Sequence, residues 1–141
     1  MKKKLNLSSY EKKEVPITKF ADAKTKIFAD YREKGSGVIK ELAEDGIIVN
    51  LEKLDFADYI VSSRCGIEVK TVEDFVDSII DGRLLEQIKN LKNNFERPII
   101  VIEGTRDIYG VRNVHHNSIL GMMATIAVSY GIPIIQTRNF K

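Results

Sequence analysis

The sequence is short of the features that mark several classes of protein. It has one cysteine, Cys65, in 141 residues, so no disulfide can form within the chain. The lack of disulfides predicts a protein of a reducing compartment. With nine glycines, three prolines and 43% hydrophobic residues, it is neither collagen-like, nor of low complexity, nor disordered. These absences leave an ordinary folded protein, and its length suits one domain with one hydrophobic core.

The distribution of apolar residues along the sequence predicts neither a signal peptide nor a membrane-spanning helix. Lys2–Lys4 lead into polar Tyr10–Lys13 without the apolar run that a secretory signal requires. The segment from Asn113 to Thr137 has no Lys, Arg, Asp or Glu and is long enough to cross a bilayer. Polar His115–Ser118 and the break at Tyr130–Pro133 predict a helix, a stop and a strand there instead.

Charge is distributed unevenly along the chain. Residues 1–26 carry eight lysines against three acidic residues, whereas acidic residues are in excess over the remaining 115. A basic start can contact a polyanion such as nucleic acid. Composition alone favours the alternative, a solubilising and partly disordered tail. We therefore predict a basic N-terminal extension over residues 1–25 and a folded domain over residues 26–141.

Hydrophobic periodicity predicts alternating strands and helices over that domain. The pattern predicts strands over 26–30, 47–51, 58–63, 66–72, 98–102 and 132–136, and helices over 36–45, 72–80, 83–94 and 115–130. This order is typical of an α/β fold in three layers, with a mixed central sheet flanked by helices. Apolar residues go all the way round the 115–130 helix, which is therefore either a fully covered core helix or part of an interface.

Four residues with chemically useful side chains fall on neighbouring predicted strands. Glu68 and Lys70 share one face of a strand, Asp58 begins the strand before it, and Asp30 ends the first strand. Three carboxylates and a lysine at one sheet edge would hold Mg²⁺ or Mn²⁺ and hydrolyse a phosphodiester. The spacing alone is common in soluble proteins, and by itself it favours ordinary surface charges over a catalytic site.

Several motifs, in one order from about Lys26 to Phe140, give these residues a more specific meaning. They are Phe28-Ala29-Asp30-Tyr31-Arg32-Glu33, Ala57-Asp58-Tyr59, Glu68-Val69-Lys70 with Asp74, Ser78–Leu84 with Gln87, Val101–Gly104, Tyr109–His115 and Gly131–Ile134. The set resembles the nuclease domain of the XPF/Hef family of structure-specific DNA endonucleases. That family belongs to the PD-(D/E)XK group, whose fold is restriction-endonuclease-like.

The resemblance implies a role for each matching residue. Asp30, Asp58 and Glu68 would be the ligands of Mg²⁺ or Mn²⁺, Lys70 the catalytic lysine, and Arg32 and Glu33 supporting residues of the site. Arg83, Gln87, Arg106, Arg112 and Asn113 would contact DNA or brace the site. The resemblance also implies branched DNA, a flap or fork, as the substrate, and a homodimer formed through the 115–130 helix. A nuclease of DNA repair would work inside the cell, with the nucleoid or in the nucleus.

The sequence departs from the family at three points. Val69 stands where the family has arginine, Ala57 replaces a glycine, and the family's helix-hairpin-helix module is absent from these 141 residues. Either these residues are a fragment of a longer protein, or affinity for DNA comes from elsewhere, such as a separate DNA-binding or clamp partner. Two alternatives stay open: a catalytically weak DNA-binding or dimerisation subunit, and another PD-(D/E)XK nuclease such as a Holliday-junction resolvase. The filled chemical positions argue against the first, and the Asp-x-Arg-Glu motif argues against the second.

Other polar residues have simpler structural explanations. Thr71 begins a helix, and Asp74 fits a place in its first turn. His115 and His116 fit helix caps or surface positions, because no second soft ligand lies at a spacing that zinc would use.

Overall fold

The computed structural model describes residues 25–141. Residues 1–24 of the predicted basic extension lie outside this range. The strands are β1 (Lys26–Asp30), β2 (Ile48–Glu52), β3 (Tyr59–Ile60), β4 (Cys65–Thr71), β5 (Arg97–Glu103) and β6 (Ile134–Thr137). The helices are α1 (Gly37–Glu44), α2 (Val72–Ile80), α3 (Leu84–Asn94) and α4 (His116–Ala124). A 3₁₀ turn, Tyr31–Glu33, follows β1, and a π-helical turn, Thr125–Ser129, follows α4.

The strands form one mixed sheet in the order β2-β1-β3-β4-β5-β6. β3 is antiparallel to both of its neighbours, whereas the pairs β1–β2, β4–β5 and β5–β6 are parallel. The carboxyl ends of β1, β4, β5 and β6 therefore meet at one edge of the sheet, and Asp58, just before β3, lies at that edge too. The predicted order and the mixed sheet are confirmed.

Helices cover both faces of the sheet, which confirms the three-layer prediction. Helices α2, α3 and α4 pack on one face over the larger hydrophobic core, which includes Phe75, Ile88, Ile102 and Ile119. Helix α1 packs on the other face against Ile27, Ala29 and Tyr59. The alternation of side chains along β4 separates these layers, because Val69 belongs to the α1 side and Lys70 points the opposite way.

Side chains cap two of the helices as the sequence predicts. Thr71 Oγ1 accepts a 3.1 Å hydrogen bond from the backbone amide of Asp74 at the start of α2. His115 Nδ1 accepts one of the same length from the amide of Asn117 at the start of α4. The structural explanations of Asp74 and His115 are therefore confirmed.

The predicted 115–130 helix is α4 followed by the π-helical turn. Ile119 and Ile126 are fully buried, but Leu120 is 48% exposed and Val128 is 81% exposed. The alternative of a fully covered core helix is therefore wrong within residues 25–141, and an interface stays a prediction. No helix in this described range is both long and apolar enough to span a membrane.

Gly66 is the point where β4 touches the end of α3. A Cβ atom added to Gly66 would lie 2.5 Å from Cδ2 of Phe95, which follows the last residue of α3. The aromatic ring therefore rests directly on the backbone of β4, where any side chain would displace it. This contact fixes the separation between the strand and the helix.

Candidate active site

A polar cleft of about 150 Å³ opens between β4, the segment before β3 and the face of α3. It is lined by Arg32, Asp55, Phe56, Ala57, Asp58, Glu68, Gln87 and Asn90. A water molecule needs roughly 10–15 Å³ of such space, so the cleft has room for a hydrated ion or a phosphate group. Three predicted site residues, Arg32, Asp58 and Glu68, and one predicted DNA-contacting residue, Gln87, meet in it.

Backbone hydrogen bonds tie Asp58 to both neighbouring strands. Its amide donates to the carbonyl of Ile67 at 2.9 Å, and its carbonyl accepts from the amide of Asp30 at 2.8 Å. Its side chain is fixed as well, because Oδ2 accepts a 2.8 Å hydrogen bond from the amide of Val69. The Asp58 carboxylate is thus held against the strand that carries Glu68.

Glu68 and Lys70 lie two residues apart on the same face of β4, as predicted. Lys70 Nζ is 3.7 Å from Glu68 Oε1, and the two side chains are only 9% and 25% exposed. That separation exceeds a normal hydrogen bond, so the ammonium group is close to the carboxylate without being locked to it. The structure therefore places a buried positive charge beside the Glu68 carboxylate.

The Asp58 and Glu68 carboxyl groups resist ionisation, chiefly because they are buried. Burial, and to a lesser extent the charge of Asp58, raises the pKa of Glu68 to about 7 against the opposing charges of Lys70 and Arg32. Burial also raises the pKa of Asp58, against the hydrogen bond from Val69. Carboxylates that resist ionisation in this way gain most from a bound cation.

Asp30 is held differently from Asp58 and Glu68. Its Oδ1 accepts from the amide of Leu54 at 2.8 Å, and its Oδ2 accepts from Arg32, from the amide at 3.0 Å and from Nε at 2.6 Å. The side-chain hydrogen bond from Arg32 lowers the pKa of Asp30 to about 2 despite burial. Both carboxylate oxygens are thereby occupied, and Asp30 braces the loop around Leu54.

The predicted set of three carboxylate ligands is not assembled in the structure. Across residues 25–141, no group of three or more His, Cys, Asp or Glu side chains could hold a metal ion. Asp30 borders a neighbouring hollow, which shares Arg32 and Asp55 with the cleft. Of the three predicted ligands, Asp58 and Glu68 thus line the cleft, together with the carboxylate of Asp55.

The two predicted supporting residues separate between the faces of the sheet. Arg32 lines the cleft, and its Nη2 also lies 3.5 Å from the carbonyl of Leu54. Glu33 lies on the α1 side, where its Oε2 accepts a 2.9 Å hydrogen bond from the hydroxyl of Tyr59. Glu33 therefore supports the site through Tyr59, the residue next to Asp58.

The other predicted DNA-contacting residues lie outside the cleft. Arg112 makes two hydrogen bonds to Asp77, at 2.8 Å from Nε and 3.1 Å from Nη2. Arg106 Nη1 lies 3.3 Å from Glu73 Oε1. Arg83 and Asn113 are exposed, and Arg83 pairs with Asp81 at 3.4 Å. The two loop arginines are thus paired with acidic residues of α2.

Three cleft residues were not predicted from the sequence. Asn90 follows Gln87 by three residues, so helical spacing alone places both on one face of α3 and could have identified it. Asp55 and Phe56 belong to the irregular segment between β2 and β3, where no periodicity shows which side chains face the cleft.

Comparison with known proteins gives consistent matches over most of the chain. The family model described as the ERCC4 domain matches residues 29–141. The 3'-flap repair endonuclease Xpf of Saccharolobus solfataricus is 33% identical over 118 residues, which cover 82% of this chain and 50% of that protein. A Methanocaldococcus jannaschii protein that bears the name of an ATP-dependent RNA helicase is 40% identical over 114 residues, 81% of this chain and 14% of that protein.

A solved structure agrees with these matches. XPF from Aeropyrum pernix, in complex with DNA, superposes with a TM-score of 0.75 at 32% identity, covering 84% of this chain and 58% of that one. The chain thus spans half or less of the length of these two relatives, and 58% of the solved chain. The similarity extends over the sheet and helices that form the cleft.

Proposed function

The chain belongs to the family of proteins with an ERCC4 domain, and from this premise we propose that it is a metal-dependent endonuclease acting on branched DNA. Its substrates would be flaps or forks that arise in DNA repair or replication. One observation carries the proposal, namely that Asp58, Glu68 and Lys70 converge beside a polar cleft large enough for a phosphate group. The names of the relatives, a 3'-flap repair endonuclease and an XPF bound to DNA, support the substrate class.

Asp58 and Glu68 are the residues that would hold Mg²⁺ or Mn²⁺. Both are hard oxygen ligands, and one or two carboxylates suffice for Mg²⁺ when waters and substrate phosphates complete its shell. Their raised pKa values fit such an ion, because a nearby cation favours the ionised carboxylates. A bound divalent cation supplies Lewis-acid polarisation of a phosphate oxygen and a more acidic water.

Hydrolysis requires that a water oxygen bond to phosphorus while the bond from phosphorus to one sugar oxygen breaks. The products are a phosphate monoester and a hydroxyl, which together retain both protons of the water. Negative charge grows on the phosphate oxygens during this exchange, and the buried ammonium group of Lys70 is placed to offset it. Arg32, held by Asp30 at the rim, would contact a neighbouring phosphate.

Affinity for DNA would come from surfaces outside the cleft. Arg83, Arg106, Arg112 and Asn113 are exposed and would contact phosphates of the duplex arms, with the basic residues before position 26 adding to the attraction. Further DNA affinity would come from a second copy of the chain, docked through α4, or from a separate DNA-binding or clamp partner. Such a protein would act inside the cell, where its DNA is.

Cleavage of labelled flap, fork and plain duplex DNA tests this function. We expect cutting of branched DNA with Mg²⁺ or Mn²⁺, none with EDTA, and none by Glu68→Ala. Binding of branched DNA without any cutting would favour the catalytically weak subunit. Preferential cutting of a four-way junction would favour the resolvase alternative.

A further inference from the structure

Two aromatic side chains are exposed beside the candidate active site. Tyr31 is 59% exposed and Phe56 is 44% exposed. Phe56 lines the cleft, and Tyr31 lines the neighbouring hollow of about 430 Å³. A single exposed apolar residue is ordinary in a folded protein. Two aromatic rings at adjoining hollows, next to a site proposed to hold a phosphate, form a surface suited to a ligand with flat apolar faces.

Hydrogen bonds to Asp30 tie the two aromatic residues to one framework. Tyr31 follows Asp30 directly, and Phe56 lies two residues after Leu54, whose amide donates a 2.8 Å hydrogen bond to Asp30 Oδ1. Leu54 is buried, and so is Ala57, the residue after Phe56. The backbone positions of both aromatic residues are therefore set by buried neighbours before any ligand binds, which lowers the entropic cost of binding.

Basic and acidic side chains are mixed around the two rings. Arg32 lines both hollows, and its side chain is 75% exposed although its Nε is bonded to Asp30. Lys53 lines the hollow beside Tyr31 and is exposed. Asp55 lines both hollows as well and offsets part of this positive charge. Because the ionic attraction is only partial, a DNA strand that binds here would depend on contacts between its bases and the aromatic faces.

We propose that Phe56 and Tyr31 stack against unpaired bases of the DNA strand whose phosphate occupies the cleft. Every nucleobase has a π-face, so such stacking tolerates any sequence and requires only that the base be unpaired. Bases inside a duplex are stacked on one another and offer no free face to a side chain. The inference rests on the proposed function and adds that the substrate strand is unpaired at the site. Flaps and forks have such a strand, whereas plain duplex lacks one.

The test compares the binding of two probes in EDTA by fluorescence anisotropy, so that it does not depend on cleavage. One probe is a single strand of thymidine nucleotides, and the other is an abasic strand with the same number of phosphates. Phe56→Ala and Tyr31→Ala each remove one ring, whereas Phe56→Tyr keeps one. The matched control is Phe140→Ala, because Phe140 is also 44% exposed but lies in a hollow on the α1 side of the sheet. The Tm of each variant shows that it is folded.

For Phe56→Ala and Tyr31→Ala we expect affinity for the thymidine strand to fall about fivefold or more, as when other stacking aromatic residues are replaced by alanine. Affinity for the abasic strand stays within about twofold of wild type, because the contacts with phosphates remain. The salt dependence of binding is unchanged, since no charge has been removed. Phe56→Tyr retains wild-type affinity, and Phe140→Ala alters the binding of neither probe.

Three results would overturn the inference: unchanged affinity for the thymidine strand in both alanine variants, an equal loss for the abasic strand, or a wild-type chain that does not prefer the thymidine strand. The first and third would show that no base stacks on these rings, and the second that the rings support the fold or the phosphate contacts. If the stacking pattern appears but branched DNA is not cut with Mg²⁺ or Mn²⁺, the endonuclease proposal fails and the stacking stands. If branched DNA is cut without that pattern, only the stacking fails.

Discussion

The backbone amide of Val69 donates a 2.8 Å hydrogen bond to Oδ2 of Asp58, so Val69 serves the site through its main chain. Its side chain points to the opposite face of the sheet and packs with the cluster of Ile27 and Tyr59. An apolar residue can therefore stand at a position where the family has arginine without displacing a cleft residue. The amide of any residue other than proline could make the same bond.

Val69→Ala should reduce stability and leave the metal site intact. The loss of packing on the α1 side should lower the free energy of unfolding by about 1–2 kcal/mol, because this valine is only partly buried. Urea unfolding measures that cost, and calorimetric titration with Mn²⁺ should give the wild-type affinity. A weaker Mn²⁺ affinity would show that the side chain acts on the cleft.

Glu68→Gln should remove the loss of stability that accompanies ionisation of Glu68, and with it the stabilisation by metal. Because burial raises the pKa of Glu68 from 4.5 to about 7, ionisation of this group destabilises the fold as pH rises through that interval. In EDTA the variant should therefore exceed wild type at pH 8 by up to about 3 kcal/mol, and match it below pH 4.5. Mn²⁺ should raise the Tm of wild type at pH 8 but hardly that of the variant. An equal rise in both would remove Glu68 from the metal site.

Asp30→Asn should destabilise the fold in a way that depends on pH. The pKa of Asp30 falls from 3.8 to about 2 on folding, so its stabilising effect is complete above pH 3.8 and disappears as pH falls through 2. With allowance for solvent screening, we expect a cost of about 1–2 kcal/mol at pH 7 and a smaller one at pH 3. Denaturant unfolding at both pH values measures it. If stability were unchanged and Mn²⁺ affinity lost, Asp30 would be a ligand after all.

Asp77→Asn and Arg112→Gln should change DNA affinity in opposite directions. Arg112 is held by Asp77 at 2.8 and 3.1 Å, so loss of the acid leaves the guanidinium free for a phosphate. Fluorescence anisotropy over a range of salt concentrations should show tighter binding in Asp77→Asn. In Arg112→Gln we expect weaker binding with a salt slope smaller by about 1. Weaker binding in both variants would mean that the pair shapes the loop instead.

Val128→Glu should prevent self-association if α4 and the turn after it form an interface. Val128 is 81% exposed and Leu120 is 48% exposed on this surface, so a new charge there would be buried without a partner. Sedimentation velocity should find a concentration-dependent dimer for wild type and a monomer for the variant. Val61→Glu, at a residue 39% exposed between β3 and β4, is the control and should dimerise. A monomeric wild type would rule out the homodimer.

Local patterns predict the fold and part of the site from the sequence. Two-residue alternation places Glu68 and Lys70 on one face of β4, and the order of strands and helices predicts the three layers. The role of Asp30 depends on the amide of Leu54, 24 residues along the chain, and such a pairing leaves no periodic signal. The same holds for Arg106 with Glu73 and Arg112 with Asp77, 33 and 35 residues apart. These partners are known only once the loop after β5 is folded against α2.

The ring of Phe95, seated on Gly66, lies between β4 and the end of α3, the two elements that carry opposite walls of the cleft. Glu68 lies two residues beyond Gly66 on one wall, and α3 carries Gln87 and Asn90 on the other. A smaller residue at position 95 would let the walls approach, and a side chain at position 66 would force them apart by wedging the ring. On the proposed function, the size of ion that the cleft accepts would therefore depend on two residues that do not line it, which makes positions 66 and 95 natural targets for engineering ion preference.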